Sequence, residues 1–370
     1  GGTLEGSQVP FLAIKFLLYG TLAEIFARET GFNKGLGGSM HAFFTPFGIY
    51  PNNAIVGGSG SIAPGGALFR RVNRKPGIVV ANIGDASFGC GPVWEGISFA
   101  SMDQYRKLWD EALGGGLPLI FNCMDNQYGM GGQTHGETMG FEFLARIGAG
   151  INPDQMHAER INGYDPLAVI DAVRRKKAVL EEGRGPVLLD TVTYRLSGHS
   201  PSDASSYRTR EEVERFEQAD AIPRFAKKLT DHRVVEEETL ADTKGGVDEL
   251  VFDMFKLAID LDKSPRESRD SEFCSSVMFS NERVEKFEDR EPEVQQPYEE
   301  NSRVKQIARK SRYGYDKNGK PVPSMKAYNF RDGVFEAMMH RFYTDPTMVA
   351  FGEENRDWGG AFACYRGLTE

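Results

Sequence analysis

The chain has 370 residues, enough for about two to two and a half domains at ~150 residues each and ample for a sizeable core. Its 44 Lys and Arg against 53 Asp and Glu leave a net charge of −9, which argues against a general nucleic-acid or anionic-membrane binder, whose affinity comes from neutralising phosphates. Apolar runs such as Ile78 to Ile83 fall well short of the ~20 residues a membrane helix needs, and no basic, apolar, cleavable leader opens the sequence, so a soluble cytoplasmic protein is expected.

Residues 1 to about 60 are glycine-rich with one helical patch, Leu17 to Thr30. Ile78 to Ile83 then reads as a buried parallel strand, Val93 to Met102 as a helix and Leu117 to Cys123 as a second buried strand. Gly114-Gly115-Gly116 reads as a surface loop before that strand. Asp165-Pro166 supplies an N-cap and a first-turn proline for a helix reaching Gly183, and Val187 to Tyr194 closes the pattern as a strand. This alternation predicts an α/β, doubly wound, mostly parallel sheet with ligands at the carboxyl ends of its strands. From Arg266 to Ser324 acidic residues and prolines predict a linker or a surface-wrapping arm. Phe330 to Tyr343 reads as a helix with Phe330, Val334, Ala337, Met338 and Phe342 on one face, followed by a strand from Thr347 to Phe351, as the start of a second α/β domain. The basic runs Arg70-Arg71 with Arg74-Lys75, and Arg174 to Lys177, read as solvated helix faces. Cys90, Cys123, Cys274 and Cys364 are far apart with no C-x-x-C pair, which speaks against a zinc site or a disulfide framework.

Three polar clusters follow predicted strands. Gly84-Asp85-Ala86-Ser87 is the first; alone it is a common turn. The second, Asp125-Asn126-Gln127-Tyr128-Gly129-Met130-Gly131, ends the neighbouring strand. A carboxylate at Asp85, an amide oxygen at Asn126 and a backbone carbonyl near Tyr128 suit Mg²⁺, a hard ion that takes oxygen ligands and is completed by substrate phosphates and water. The third, Ser197 to Arg210, carries His199, placed either to hydrogen-bond a diphosphate and assist proton transfer or as an incidental residue in a Ser/Asp/Gly turn.

In this order, Gly84-Asp85-Ala86, Asn126 with Tyr128-Gly129-Met130-Gly131, and Gly198-His199-Ser200 through Asp203 to Tyr207-Arg208-Thr209-Arg210 resemble the thiamine-diphosphate-dependent first component of 2-oxo acid dehydrogenase complexes. Gly37-Gly38-Ser39-Met40-His41 and Ile55-Val56-Gly57 extend the resemblance to the α subunit over residues 20 to 265. Phe330-Arg331-Asp332 and Phe351-Gly352-Glu353-Glu354 look like the opening of the β subunit, as in fused single-chain bacterial versions. The resemblance implies a thiamine-diphosphate-binding fold over residues 1–265, a linker over 266–324 and the start of a pyrimidine-side domain over 325–370. It implies Mg²⁺ on the Asp85 and Asn126 side chains and the Tyr128 carbonyl, with Gly84 and Ala86 flanking the diphosphate and His199 over it as the catalytic candidate.

The implied activity is decarboxylation of a 2-oxo acid, pyruvate or a branched-chain relative, with acyl transfer to the lipoyl groups of a dihydrolipoyl acyltransferase, by a homo-oligomer. The activating acid and part of the diphosphate site are expected beyond Gly1 and Glu370, so these residues alone are expected to be inactive. Departures from the family pattern are Ala86 in place of a glycine, Asp125 in place of the first of two asparagines, and the glycine-rich Gly57 to Ser61 stretch. A transketolase-like enzyme and a non-catalytic scaffold retaining the fold are the rival readings.

Overall fold

The computed structural model describes residues 9–52, 54–129, 132–152, 154, 156–199, 203, 205–268, 272–273, 276, 290–310, 312–351, 355, 359–360 and 363–370. They fall into two compact units, 1–269 and 270–370. The first unit is built on four parallel strands: β1 (Val79–Gly84), β2 (Leu119–Asp125), β3 (His157–Asn162) and β4 (Val187–Val192). They lie in the order β1-β2-β4-β3, with Val79 paired to Leu119, Ile120 to Val187 and His157 to Val187. This is the expected doubly wound α/β class.

Alternation along the strands sends two apolar sets to opposite faces. Ala81, Ile83, Phe121 and Leu188 pack with Ala67 of α2 (Gly58–Val72) and with Val93 and Ile97 of α3 (Gly91–Ala100). Ile120, Val187 and Leu189 pack with Ala172 and Leu180 of α6 (Pro166–Glu181). The Asp165 carboxylate accepts from the Leu167 amide at 3.0 Å, so this helix starts where its N-cap and proline predict. The first helix, α1 (Val9–Ile25), begins before the expected Leu17 and ends before Thr30. It packs on α9 (Glu237–Ile259), where Arg28 Nε donates to the Ala258 carbonyl at 2.9 Å. Among the described residues no helix is long and apolar enough to cross a membrane.

Some expectations are corrected. Gly114 to Gly116 form a loop before β2, but not one wholly at the surface: Gly116 is buried against the Gly185 carbonyl, and upstream Tyr105, in the short helix α4 (Gln104–Lys107), is buried against Phe99 and Trp109. In the second unit, part of the stretch read as linker forms a helix, Ser302–Ala308, and an antiparallel pair, β5 (Tyr313–Tyr315) and β6 (Pro321–Lys326). The helix Phe330–Thr344 is present but turns a different face inward: Asp332, Phe335 and Met339 are buried, and Phe330 is 90% exposed. The reason is electrostatic. Asp332 pairs with Lys310 and, at 3.5 Å, with Arg303, which fixes the helix rotation and brings Phe335 and Met339 onto Ile307. Residues 347–351 form no strand; the Thr347 amide and hydroxyl both bond the Asp345 carboxylate in a turn. Glu353 and Glu354 lie outside the described residues.

Candidate functional site

β1 delivers Gly84 in extended conformation to its carboxyl end, and Asp85 opens a 3-10 turn, Asp85–Gly89, that leads into α3. Asp85 is 1% exposed, and its Oδ2 is buried with no hydrogen-bond partner among the described residues. Burial raises its carboxyl pKa; the Thr134 hydroxyl and the amides of Ala86 and Gln127 oppose that rise without cancelling it. A buried carboxylate oxygen left without a donor is costly unless a cation or proton meets it.

β2, alongside, ends in the second polar cluster. The Asn126 side-chain oxygen accepts from the Tyr128 amide at 3.0 Å, and Gln127 between them takes φ +66°, in the left-handed region. The chain turns back so that the Thr134 amide donates to the Gln127 carbonyl at 2.9 Å. A β-carbon on Gly129 would stand 3.5 Å from that of Ala86, so the methyl that departs from the family pattern lies beside a residue that has none. Gly84, Asp85, Ala86, Asn126 and Tyr128 therefore gather at one sheet edge, as parallel pairing of adjacent strands requires. Met130 and Gly131 lie outside the described residues.

The third cluster reaches the second through Glu212, a residue the sequence did not single out. Thr209 caps α7 (Arg210–Glu217), accepting from the Glu212 amide at 3.1 Å. The Glu212 carboxylate receives the Tyr128 hydroxyl at 2.8 Å and the Tyr194 hydroxyl at 3.0 Å. Arg208 stacks near Tyr128, Tyr194 and Tyr207 and donates to the Ser197 carbonyl at 3.1 Å. The signal for Glu212 was present: Thr209-x-x-Glu212 is a capping-box sequence, although here the carboxylate serves two phenols instead of the cap amide.

Around Asp203 the loop is tied locally. Its carboxylate accepts from the His199 amide and the Tyr207 hydroxyl, each at 2.7 Å, and from the Ser205 amide at 2.8 Å, and these donors hold it at about 2. His199 itself is exposed, and the structure sets its backbone, not its ring, into this frame. Ser200, Pro201 and Ser202 lie outside the described residues.

Beside Asn126 and Tyr128 opens a cavity of about 690 Å³ walled also by Asp125, Arg160, Tyr164 and Tyr194. Arg160 Nη1 lies 2.8 Å from Asp190 Oδ2 and 3.1 Å from Asp125 Oδ2, with its guanidinium over the Phe143 ring. Burial, and then the Asp190 carboxylate, push the Asp125 carboxyl well above the ordinary carboxylate range. Neither Asp190 nor Arg160 stood out in the sequence, since each occupies an ordinary strand position. Among the described residues no group of three or more His, Cys, Asp or Glu is set to hold a metal. A site of one carboxylate, one amide and one backbone carbonyl is a different donor set, suited to Mg²⁺.

Fold and site together define an α/β protein whose polar loops gather at the carboxyl edge of a parallel sheet. Residues 12–266 match the family described as dehydrogenase E1 component, and the chain belongs to that family. It is 35% identical over 223 residues to a mitochondrial pyruvate dehydrogenase E1 component subunit alpha of Dictyostelium discoideum, covering 59% of this chain and 53% of that one. A pyruvate dehydrogenase E1 component subunit alpha of Rickettsia bellii is 31% identical over 230 residues, 62% of this chain and 66% of its own. The α subunit of acetoin:2,6-dichlorophenolindophenol oxidoreductase of Bacillus subtilis is 31% identical over 273 residues, 72% of this chain and 74% of its own. The chain thus spans about half the length of the Dictyostelium subunit.

Proposed function

We propose that this protein acts in the thiamine-diphosphate- and Mg²⁺-dependent decarboxylation of a 2-oxo acid and passes the acyl group to lipoyl groups on a partner dihydrolipoyl acyltransferase. The observation that carries this reading is the buried, unpartnered Oδ2 of Asp85 beside the Asn126–Tyr128 turn. Asp85, the Asn126 oxygen and the Tyr128 carbonyl would hold the ion, and Gly84 and Ala86 would border the diphosphate. When bound, thiamine diphosphate supplies a carbon nucleophile for the substrate carbonyl and an electron sink for loss of CO₂. The chain's own residues would position that group: Glu212 and Arg208 brace the Tyr128 turn, and the His199 loop would lie over the diphosphate. A homo-oligomer in the cytoplasm completes the proposal; Phe11, Leu12 and Ile14 on α1, each at least 40% exposed, support self-association. Residues 325–370 are read as the opening of a fused β-type segment.

Pyruvate and branched 2-oxo acids differ by a few methylenes, worth about 1–3 kcal/mol in a pocket. The likeness to an acetoin oxidoreductase subunit supports acetoin as a second substrate class. Calorimetric titration with thiamine diphosphate, with and without Mg²⁺, tests the reading. Saturable, Mg²⁺-dependent binding that disappears in Asp85→Ala is expected. Equal affinity in that variant would overturn it, and assays with pyruvate, branched 2-oxo acids and acetoin then separate the substrates.

A further inference from the structure

Two basic runs, separated by about a hundred positions in the chain, meet in space. Arg70, Arg71, Arg74 and Lys75, at and just beyond the end of α2, and Lys177 of α6 surround one cavity of about 630 Å³, with Glu181 as its sole acid. Its floor includes Ile78 and Pro118, the residues just before β1 and β2, so it opens at the amino edge of the sheet. Asp85 and Asn126 lie at the opposite, carboxyl edge.

Part of this charge is structural. Arg70 and Arg71 stand in the last turn of α2, where cations offset the helix dipole. Arg70 donates to the Pro76 carbonyl and Arg71 to the Gly116 carbonyl, and Lys177 pairs with Glu181 at 3.3 Å. Those contacts leave a surplus. Among the described residues, the Nε atoms of Arg70 and Arg71 are buried without hydrogen-bond partners and Arg74 forms no ion pair. Arg70, Arg71, Arg74 and Lys177 around one carboxylate, in a chain whose net charge is −9, make a local reversal of sign that focuses on a concave space. The remaining wall is apolar: Ile78, Pro118 and Leu180 offer a surface for a ring or hydrocarbon, and the volume is that of a small-molecule site.

We propose that this cavity binds an organic phosphate of nucleotide size, its phosphates among Arg70, Arg74, Lys75 and Lys177 and its body against Ile78, Pro118 and Leu180. The site is separate from the one at the carboxyl edge and goes beyond the function proposed above.

The test is equilibrium titration of the full chain with ATP and with inorganic triphosphate, without Mg²⁺, at low and moderate salt. Saturable binding of ATP is expected, weaker for triphosphate, which lacks the organic body, and weaker as salt rises. The double variant Arg74→Glu with Lys177→Glu should lose at least tenfold in affinity, and the single Arg74→Gln about threefold, whereas Asp85→Asn should stay within twofold of the parent. Absence of saturable binding, unchanged affinity in both charge variants, or loss in Asp85→Asn would each overturn the site. Equal affinity for ATP and triphosphate would overturn the assignment of an organic body.

Discussion

A β-carbon built on Gly96 would stand 2.0 Å from the carbonyl oxygen of Gly60. Helices α2 and α3 therefore touch backbone to backbone, and the turn between β1 and α3 is held against α2 by that contact. Gly96→Ala is expected to force the helices apart and cost about 1–3 kcal/mol or more. Urea denaturation should show a lower midpoint at unchanged slope; a stability equal to the parent would mean the two backbones are not so close.

Glu24 is fully buried and accepts from the amides of Asn33 at 2.7 Å, Gly35 at 2.9 Å and Gly37 at 2.6 Å. Glu24→Gln replaces one acceptor oxygen by a donor facing those amides. The expected loss is about 2–3 kcal/mol, with faster hydrogen exchange at Gly35 and Gly37 than elsewhere in the first unit. Uniform exchange across the unit would contradict a local role.

At Asp85 stability and ligand binding are expected to oppose each other. With no ion present, Asp85→Asn removes a desolvated charge, so the thermal midpoint should rise by about 2 °C while Mg²⁺-dependent binding of thiamine diphosphate is lost. A lower midpoint without ligand would show that the carboxylate is already satisfied.

Burial works to raise the Asp332 carboxyl, yet Lys310 and Arg303 together bring it below its ordinary value. The folded value thus lies under the unfolded one of about 4, so its stabilisation is complete above that pH and is lost as pH falls through the folded value. Asp332→Asn should cost about 1.5–3 kcal/mol at pH 7 and less at pH 3. Hydrogen exchange of the Phe335–Met339 segment at both pH values reads this; an equal cost at both would remove the charge from the account.

The sheet was legible where burial writes a continuous apolar run. Ile78 to Ile83 and Leu117 to Cys123 foretell β1 and β2 within two residues. β3 escaped because it is an edge strand reading His-Ala-Glu-Arg-Ile-Asn, in which Ile161 alone is an inward apolar anchor. Of α2 only the basic end read as a helix face: Gly58, Gly60, Gly65 and Gly66 with Pro64 oppose a helix by propensity, whereas close packing on α3 needs the lack of a side chain at Gly60, where a β-carbon would stand 3.0 Å from Val93 Cα. The three polar clusters were visible because each follows a strand. Their mutual bracing by Glu212, Arg208 and Arg160 was not, since single positions far apart in sequence carry no sign of their partners.

The strand order has a consequence for synthesis on the ribosome. β4 is the last strand of the four-stranded sheet to be made, yet it lies between β2 and β3. A nascent chain extending to Asn162 therefore owns three of the four strands, but β3 has no neighbour to bond and the inner face of Ile120 is uncovered. Cooperative closure of this unit must wait until Val192 has left the exit tunnel. Arrest of translation between those two residues is where premature degradation and capture by chaperones should concentrate.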